Sequence, residues 1–230
     1  MYTHTNWRRQ LEQSFAGNGG ILNCSFAQLA TIGTDGRPAN RTVVIRGIHS
    51  VLVSAFPDSP ATGSRVFFEV ATDRRSNKCR EILHNNFGEL CMYFSGTWEQ
   101  FRFAGRLYHI HNQVPQHAGL AGISPEELEA ERYRVWKYVI SENTRQSFVG
   151  PTPGTSTNNF EDQTLLSAQV EAKSSQTSAS DLGYENFSLL LFEPDRVDYL
   201  QLSTRPHSRT IFKSSPGLGV EQWSFENVNP

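Results

Sequence analysis

Apolar residues at Trp7, Leu11 and Phe15 recur at i, i+4 and i+8, a spacing that predicts a short amphipathic helix with Thr5 or Asn6 as its cap. The glycines between Gly17 and Gly20 end it. From Ser25 the texture turns to β: SFAQLATIG, a TDG turn at Thr34 to Gly36, and NRTVVIRGI together predict a hairpin. Further strands are predicted at 51–56 (VLVSAF), 65–72 (RVFFEVAT), 89–95 (ELCMYFS) and 99–110 (EQFRFAGRLYHI). In the last of these Phe101 and Phe103 share one face while Gln100, Arg102 and Ala104 share the other. One face is therefore core, and the other is polar and open to a ligand.

Two helices interrupt the strands. SNKCREILHNN (76–86) starts at the natural N-cap Ser76, places Cys79, Ile82, Leu83 and His84 near one face, and stops before Gly88. The second opens SPEE, with Ser124 as cap, Pro125 at the first helical position and Glu127 closing a capping box, and is predicted to run through Tyr133, Trp136 and Val139. Residues 152–183 are rich in Ser, Thr, Asn and Gln with few large apolar groups, which predicts a mobile insertion rather than a domain boundary. Strand texture returns at FSLLLFEPDRVDYLQL, RTIFKS and VEQWSFENV. These strands are too few to close a core alone, so they are expected to join the earlier sheet in a single domain over 1–230.

Composition narrows the function. The 230 residues carry 21 Lys plus Arg against 23 Asp plus Glu, a net charge of −2 that argues against a nucleic-acid or polybasic membrane-surface protein. Hydrophobic residues at 37% are sparse for a globular chain, yet 11% aromatics exclude a disordered one. Cys24, Cys79 and Cys91 form an odd set without a C-x-x-C pair, which fits neither a disulfide framework nor a cysteine zinc site. No apolar stretch approaches bilayer-spanning length. A soluble protein of the reducing cytoplasm is expected.

Several residues could carry chemistry. In ATDRRSNK, the N–H groups of a helix N-terminus, the Ser76 hydroxyl and the Lys78 ammonium make a physically sound phosphate cradle. The plainer alternative is Ser76 as an ordinary N-cap and Lys78 as a solvated side chain. Arg41 and Arg46 flank TVVI five residues apart, so they face opposite sides of an ideal strand and reach one ligand only across a bulge or strong twist. In RPHSR, an extended chain would point Arg205, His207 and Arg209 the same way, and such a set repels itself unless an anion or carboxylates lie between. His109 and His111 also alternate, without a third ligand at metal spacing, and read as a surface strand. No metal is expected.

In this order RTVVIR, ATDRRSNK, Gln100 in EQFRFAGR, Arg145-Gln146-Ser147 and RPHSR resemble the FMN-binding split-barrel family of pyridoxamine 5′-phosphate oxidase, and in particular its shorter cyanobacterial and plant branch. The likeness runs from about residue 5 to the C-terminus, skipping the polar insertion. It implies an antiparallel split β-barrel of about six to eight strands with flanking helices, FMN as cofactor, and a homodimer with the flavin between subunits. It further implies that Arg41, Arg46, Thr72, Ser76, Lys78, Gln100, Gln146, Ser147 and Arg209 bind the flavin. By the same resemblance Ser76 and Lys78 hold its phosphate and Gln100 its ring, while Arg205 and His207 place a small phosphorylated or amine substrate.

The sequence also departs from the family. Ala71 stands for the tyrosine of its Y-T pair, Arg46 for the lysine of R-x-V-x-x-K, and Asn77 for the arginine of S-R-K. ELEAERYRVWKYVIS does not repeat the spacing of the Tyr, Arg and Ser set by which the family holds the vitamin phosphate. Two activities follow from the resemblance: an oxidoreductase of the pyridoxamine or pyridoxine 5′-phosphate oxidase type, or an FMN protein for storage, sensing or carriage without that activity.

Overall fold

The computed structural model describes residues 7–53, 63–111, 118–120, 122–156, 179–215 and 222–230. Its strands are β1 (Phe26–Ile32), β2 (Pro38–Val53), β3 (Gly63–Asp73), β4 (Phe87–Phe94), β5 (Glu99–Ile110), β6 (Phe187–Gln201), β7 (Ser208–Ser215) and β8 (Gln222–Val228). The helices are α1 (Trp7–Gly17), α2 (Asn77–His84), α3 (Pro125–Arg134), α4 (Glu142–Ser147) and α5 (Ala179–Asn186). All strands form one antiparallel sheet in the order β3-β2-β1-β4-β5-β6-β7-β8, and an added β3–β6 pairing closes the first six into a barrel.

The split lies in β6. Its first half, from Phe187 to Phe192, pairs with β3, whereas Arg196 to Gln201 pair with β7, and β5 follows both halves along the other edge. A register shift between Ala104 and Gly105 marks the change of direction, where Gly105 meets Pro194. A Cβ on Gly105 would stand 2.0 Å from the Glu193 carbonyl oxygen, so only glycine permits this approach. The proline is tolerated because a bulge needs no ladder donor from it.

Helix α1 lays its apolar face on the barrel core. Trp7, 1% exposed, packs on Phe68, Phe103 and Trp223 with ring centroids 5.5–6.3 Å apart. Truncating such a residue costs ~3–5 kcal/mol. A second core covers the outer face of β3, β5 and β6, where Trp136 packs on Phe148, Tyr184 and Phe187. His109 and His111 are both buried, so they do not form the expected surface strand. Alternation alone cannot reveal a strand covered on both sides.

Other expectations change in detail. The strand expected from residue 51 is the end of β2, which runs unbroken to Val53, and residues 54–56 lie outside the described residues, as do the caps Thr5 and Asn6. Leu83 is 55% exposed; only Cys79 and Ile82 of the expected α2 face are buried. The capping box of α3 forms as expected, but the α-helix ends at Arg134 and a π turn spans Val135–Val139. Of the polar segment 152–183, residues 157–178 lie outside the described residues, and residues from 179 onward are helical in α5. Among the described residues no helix is long and apolar enough to cross a membrane.

Candidate functional site

Ser76 occupies the N-cap position of α2, yet its side chain makes no capping hydrogen bond. It is buried and faces Lys78, whose Nζ donates to Thr72 Oγ1 at 2.8 Å and to Ser76 Oγ at 3.2 Å. The ordinary N-cap and the solvated lysine are thus both absent here. Nearby carboxylates are claimed by other cations: Asp73 accepts from Arg75 Nη2 at 2.7 Å, and Glu81 from Arg41 Nη2 at 2.6 Å. Lys78 keeps two hydroxyl partners, and burial lowers its pKa below the ordinary lysine value. A half-buried ammonium solvated by hydroxyls at the head of a helix has the chemistry to take an anion.

Arg41 belongs to the same group but is occupied. Its Nη1 reaches Thr31 Oγ1 and, at 3.3 Å, the Leu29 carbonyl, while Thr31 Oγ1 donates to Glu81 at 2.6 Å. An anion at Arg41 must therefore share it with Glu81. Arg46 stands at a register shift of β2 between Ile45 and Gly47, the bulge that its spacing from Arg41 required. Its Nε is buried without a hydrogen-bond partner among the described residues, and burial lowers its pKa. An orphaned buried guanidinium nitrogen is what an acceptor-rich ligand would satisfy.

Gln146 and Ser147 lie at the end of α4, where Ser147 Oγ donates to the Thr144 carbonyl at 2.6 Å. Arg75 draws this helix end to the α2 turn, its Nη2 donating to the Phe148 and Gly150 carbonyls at 3.4 and 3.0 Å. The neighbouring Arg145 is structural: its Nη1 caps the carbonyls of Trp136, Lys137 and Ile140 at the π turn. Thr72, Ser76 and Lys78 thus stand together, and Arg75 ties their turn to the chain just past Gln146 and Ser147.

A second group forms at the other end of β5. Gln100 pairs across the sheet with Leu200, which pairs with Arg209, so Gln100 and Arg209 share a row and a face. Gln100 Nε2 donates to Cys91 Sγ at 3.3 Å. Arg209 does not point with Arg205 and His207 as an extended RPHSR would require: residues 202–206 form a bend, and Arg209 binds Asp198 through two contacts of 2.9 and 2.8 Å. Burial alone would raise the Asp198 pKa, but Arg209, helped by Arg102 and Arg196, holds it below the usual value. Arg205 Nη1 donates to His207 Nε2 at 2.5 Å, and both line a pocket of about 490 Å³ with Trp98, Leu202 and Ser203.

Sequence reasoning did not anticipate a third cluster. The ligand atoms of His49, Glu69 and Glu131 lie within 4.8 Å of one another, but Arg134 already donates to Glu69 Oε2 at 3.0 Å and to Glu131 Oε1 at 2.7 Å. Burial and a hydrogen bond shared with Glu131 push the Glu69 carboxyl up to about 8 against the pull of Arg134. Arg132, fully buried, is likewise spent on Glu129 and on the carbonyls of Tyr184 and Phe187. Both α3 arginines therefore hold the fold together.

The family model described as pyridoxamine 5′-phosphate oxidase, FMN-binding domain, matches residues 4–111. Over the full length of both chains the protein is 36% identical to the Arabidopsis thaliana protein named pyridoxine/pyridoxamine 5′-phosphate oxidase 2. The chain belongs to the pyridoxamine 5′-phosphate oxidase family. Its fold matches that of a pyridoxamine 5′-phosphate oxidase-related, FMN binding protein from Nostoc punctiforme, with a TM-score of 0.72 and 29% identity over 99% of this chain and 100% of that one. PhzG from Burkholderia lata shares the fold alone, with a TM-score of 0.63 and 16% identity over 100% of this chain and 95% of that one. The cofactor of this pyridoxamine 5′-phosphate oxidase-like protein is FMN. The Lys78 ammonium, held by hydroxyls, and the orphaned Arg46 nitrogen fit such an anionic, acceptor-rich group.

Proposed function

We propose that this protein is an FMN-dependent oxidase of pyridoxamine or pyridoxine 5′-phosphate, working as a cytoplasmic homodimer with the flavin between subunits. The observation that carries the reading is Lys78, a half-buried ammonium held by Thr72 and Ser76 hydroxyls while the neighbouring carboxylates serve arginines. Lys78, Ser76 and Thr72 seat the flavin phosphate, and Arg41 and Arg46 add field and hydrogen bonds. Gln146 and Ser147 flank that seat. Gln100 and Arg209 orient the ring, and Arg205 with His207 holds the substrate.

Two subunits are favoured by the spread of these residues along the sheet. The row through Phe103 leads by Leu90 and Leu29 to Arg41, whereas the Arg205 loop is tied to Trp98, whose carbonyl accepts from the Leu202 N–H at 2.9 Å. Five strand residues separate these rows, about 16 Å at ~3.3 Å per residue. A second copy would bring one chain's phosphate seat to the other chain's substrate arm. All three cysteines are free thiols, in keeping with a reducing compartment.

Bound FMN would supply two-electron chemistry, accepting a hydride equivalent from the substrate carbon and passing the electrons to oxygen. The protein positions the substrate. Arg205 and His207 face the substrate from one side, and His207, whose ring accepts from Arg205, is released to the substrate when that contact opens. Purified protein should be yellow and release hydrogen peroxide with pyridoxamine 5′-phosphate. A colourless protein that takes up no added FMN would overturn the flavin site.

One observation favours a second reading, an FMN storage, sensing or carrier protein. Both α3 arginines, Arg132 and Arg134, are consumed within the chain, so neither is free for a vitamin phosphate. A yellow protein inert towards both substrates would establish it.

A further inference from the structure

Trp98 is the one residue other than glycine with positive φ among the described residues, at φ 56. A bulky side chain in this left-handed region is strained, and glycine would sit there at no steric cost. Burial does not compensate, because Trp98 is 59% exposed. Its carbonyl accepts the Leu202 N–H at 2.9 Å, but that is a backbone contact any residue would make. Neither the backbone nor the core thus explains a tryptophan here.

The pocket does. Trp98 lines it together with Leu202, Ser203, Arg205 and His207, so an aromatic face stands beside an aliphatic side chain, a hydroxyl, a guanidinium and an imidazole. Indole is the strongest ring platform among side chains, and a ring laid on it gains from offset stacking as well as from area removed from water. The left-handed backbone fixes where the side chain leaves the β4–β5 turn, and the Leu202 contact fixes that turn against the Arg205 loop.

We propose that Trp98 is a substrate-positioning residue, its indole the platform on which the ring of a planar heteroaromatic substrate lies beside Arg205 and His207. The inference rests on the reading of Arg205 and His207 as the substrate arm. It assigns specificity for the ring to a residue outside that pair.

The test uses FMN-loaded protein and the variants Trp98→Ala and Trp98→Phe. For pyridoxamine 5′-phosphate, W98A should raise KM about tenfold or more with kcat within about threefold, and W98F should restore KM to within about threefold of wild type. Inhibition by phosphoethanolamine, which has the anion and amine but no ring, should be the same in all three proteins. Flavin content and dimer content should also be unchanged. Equal KM in W98A and wild type would overturn the proposal, as would equal losses in W98A and W98F or a parallel loss of phosphoethanolamine inhibition. If wild type does not turn over pyridoxamine 5′-phosphate, the oxidase reading fails and equilibrium binding of pyridoxal 5′-phosphate decides the role of Trp98. Binding by wild type and W98F at least tenfold tighter than by W98A supports it; absent binding, or equal binding by all three, overturns it.

Discussion

Lys78 Nζ and Thr72 Oγ1, 2.8 Å apart, join the first turn of α2 to the end of β3 and place a cation where two chain elements meet. Ser76 supplies the second hydroxyl, and its failure to cap the helix is the local cost of that arrangement. An N-cap side chain that leaves its helix donors unmet costs ~1 kcal/mol of stability. A flavin phosphate at this turn would accept from those donors and from Lys78 together.

Arg41 should matter less than Lys78. Its charge is balanced by Glu81 at 2.6 Å, so Arg41→Ala removes a cation and leaves a carboxylate beside the phosphate seat, whereas Glu81→Gln keeps the hydrogen bonds and removes the opposing charge. R41A should weaken FMN binding, and E81Q should tighten it severalfold, both read by flavin fluorescence titration. An E81Q protein that binds FMN more weakly would show that Arg41 serves the fold and not the ligand.

Arg46 gives a prediction of opposite signs in two states. In FMN-free protein, Arg46→Met removes a buried Nε without a partner, a group that costs ~1–3 kcal/mol when fully buried and less at this half-exposed position. The unfolding midpoint of the flavin-free variant should rise by ~2–4 °C for each kcal/mol relieved, while its FMN affinity falls. An unchanged midpoint with unchanged affinity would make Arg46 an ordinary surface side chain.

Much of this was legible in the chain. Strand β5 falls at 99–110 as its alternation predicts, and the capping box at Ser124 and Glu127 places the start of α3, because both signals are local. What escaped is non-local or short. Helix α4, six residues without one buried side chain, has no periodicity to read. Gly47 and the bulge at Arg46 hide the continuity of β2. The partners of the site cations are distant in sequence: Glu81 lies 40 residues from Arg41, and Asp198 lies 11 from Arg209. No spacing rule announces them; RPHSR, read as extended, called only for an anion or carboxylates beside it.

The Glu69 cluster makes stability depend on pH. Its folded pKa, about 8, lies above the ordinary value of 4.5, so the folded state holds a proton that the unfolded state has lost between these values. This contribution is present at low pH and is lost as pH rises from about 4.5 to about 8. Glu131 opposes it: its pKa is lowered by Arg134 and Glu69 despite burial, and its stabilisation fades as pH falls below the ordinary carboxylate range. Glu69→Gln, which mimics the protonated form, should therefore raise the melting temperature most at pH 8–9 and little at pH 5. A uniform change across this range would mean that Glu69 is ionised throughout.

The Arg205 arm should separate from flavin retention. Arg205→Ala and His207→Ala remove groups lining the 490 Å³ pocket but none from the Lys78 corner. Each should cut kcat/KM for pyridoxamine 5′-phosphate by about 10–100-fold, the loss of one charge-assisted or polar contact, with flavin content unchanged on gel-filtered protein. Loss of flavin in step with activity would place the arm at the cofactor instead.

The most direct test of the phosphate seat is the FMN dissociation constant of wild type and Lys78→Ala measured from pH 7 to 10. K78A should bind FMN about 10–100-fold more weakly at pH 7, the value of a charge-assisted hydrogen bond to phosphate. Wild-type affinity should fall as pH rises through the depressed Lys78 pKa, and this dependence should vanish in the variant. A K78A protein that retains FMN like wild type, with the same pH dependence, would contradict the seat at Lys78, Ser76 and Thr72.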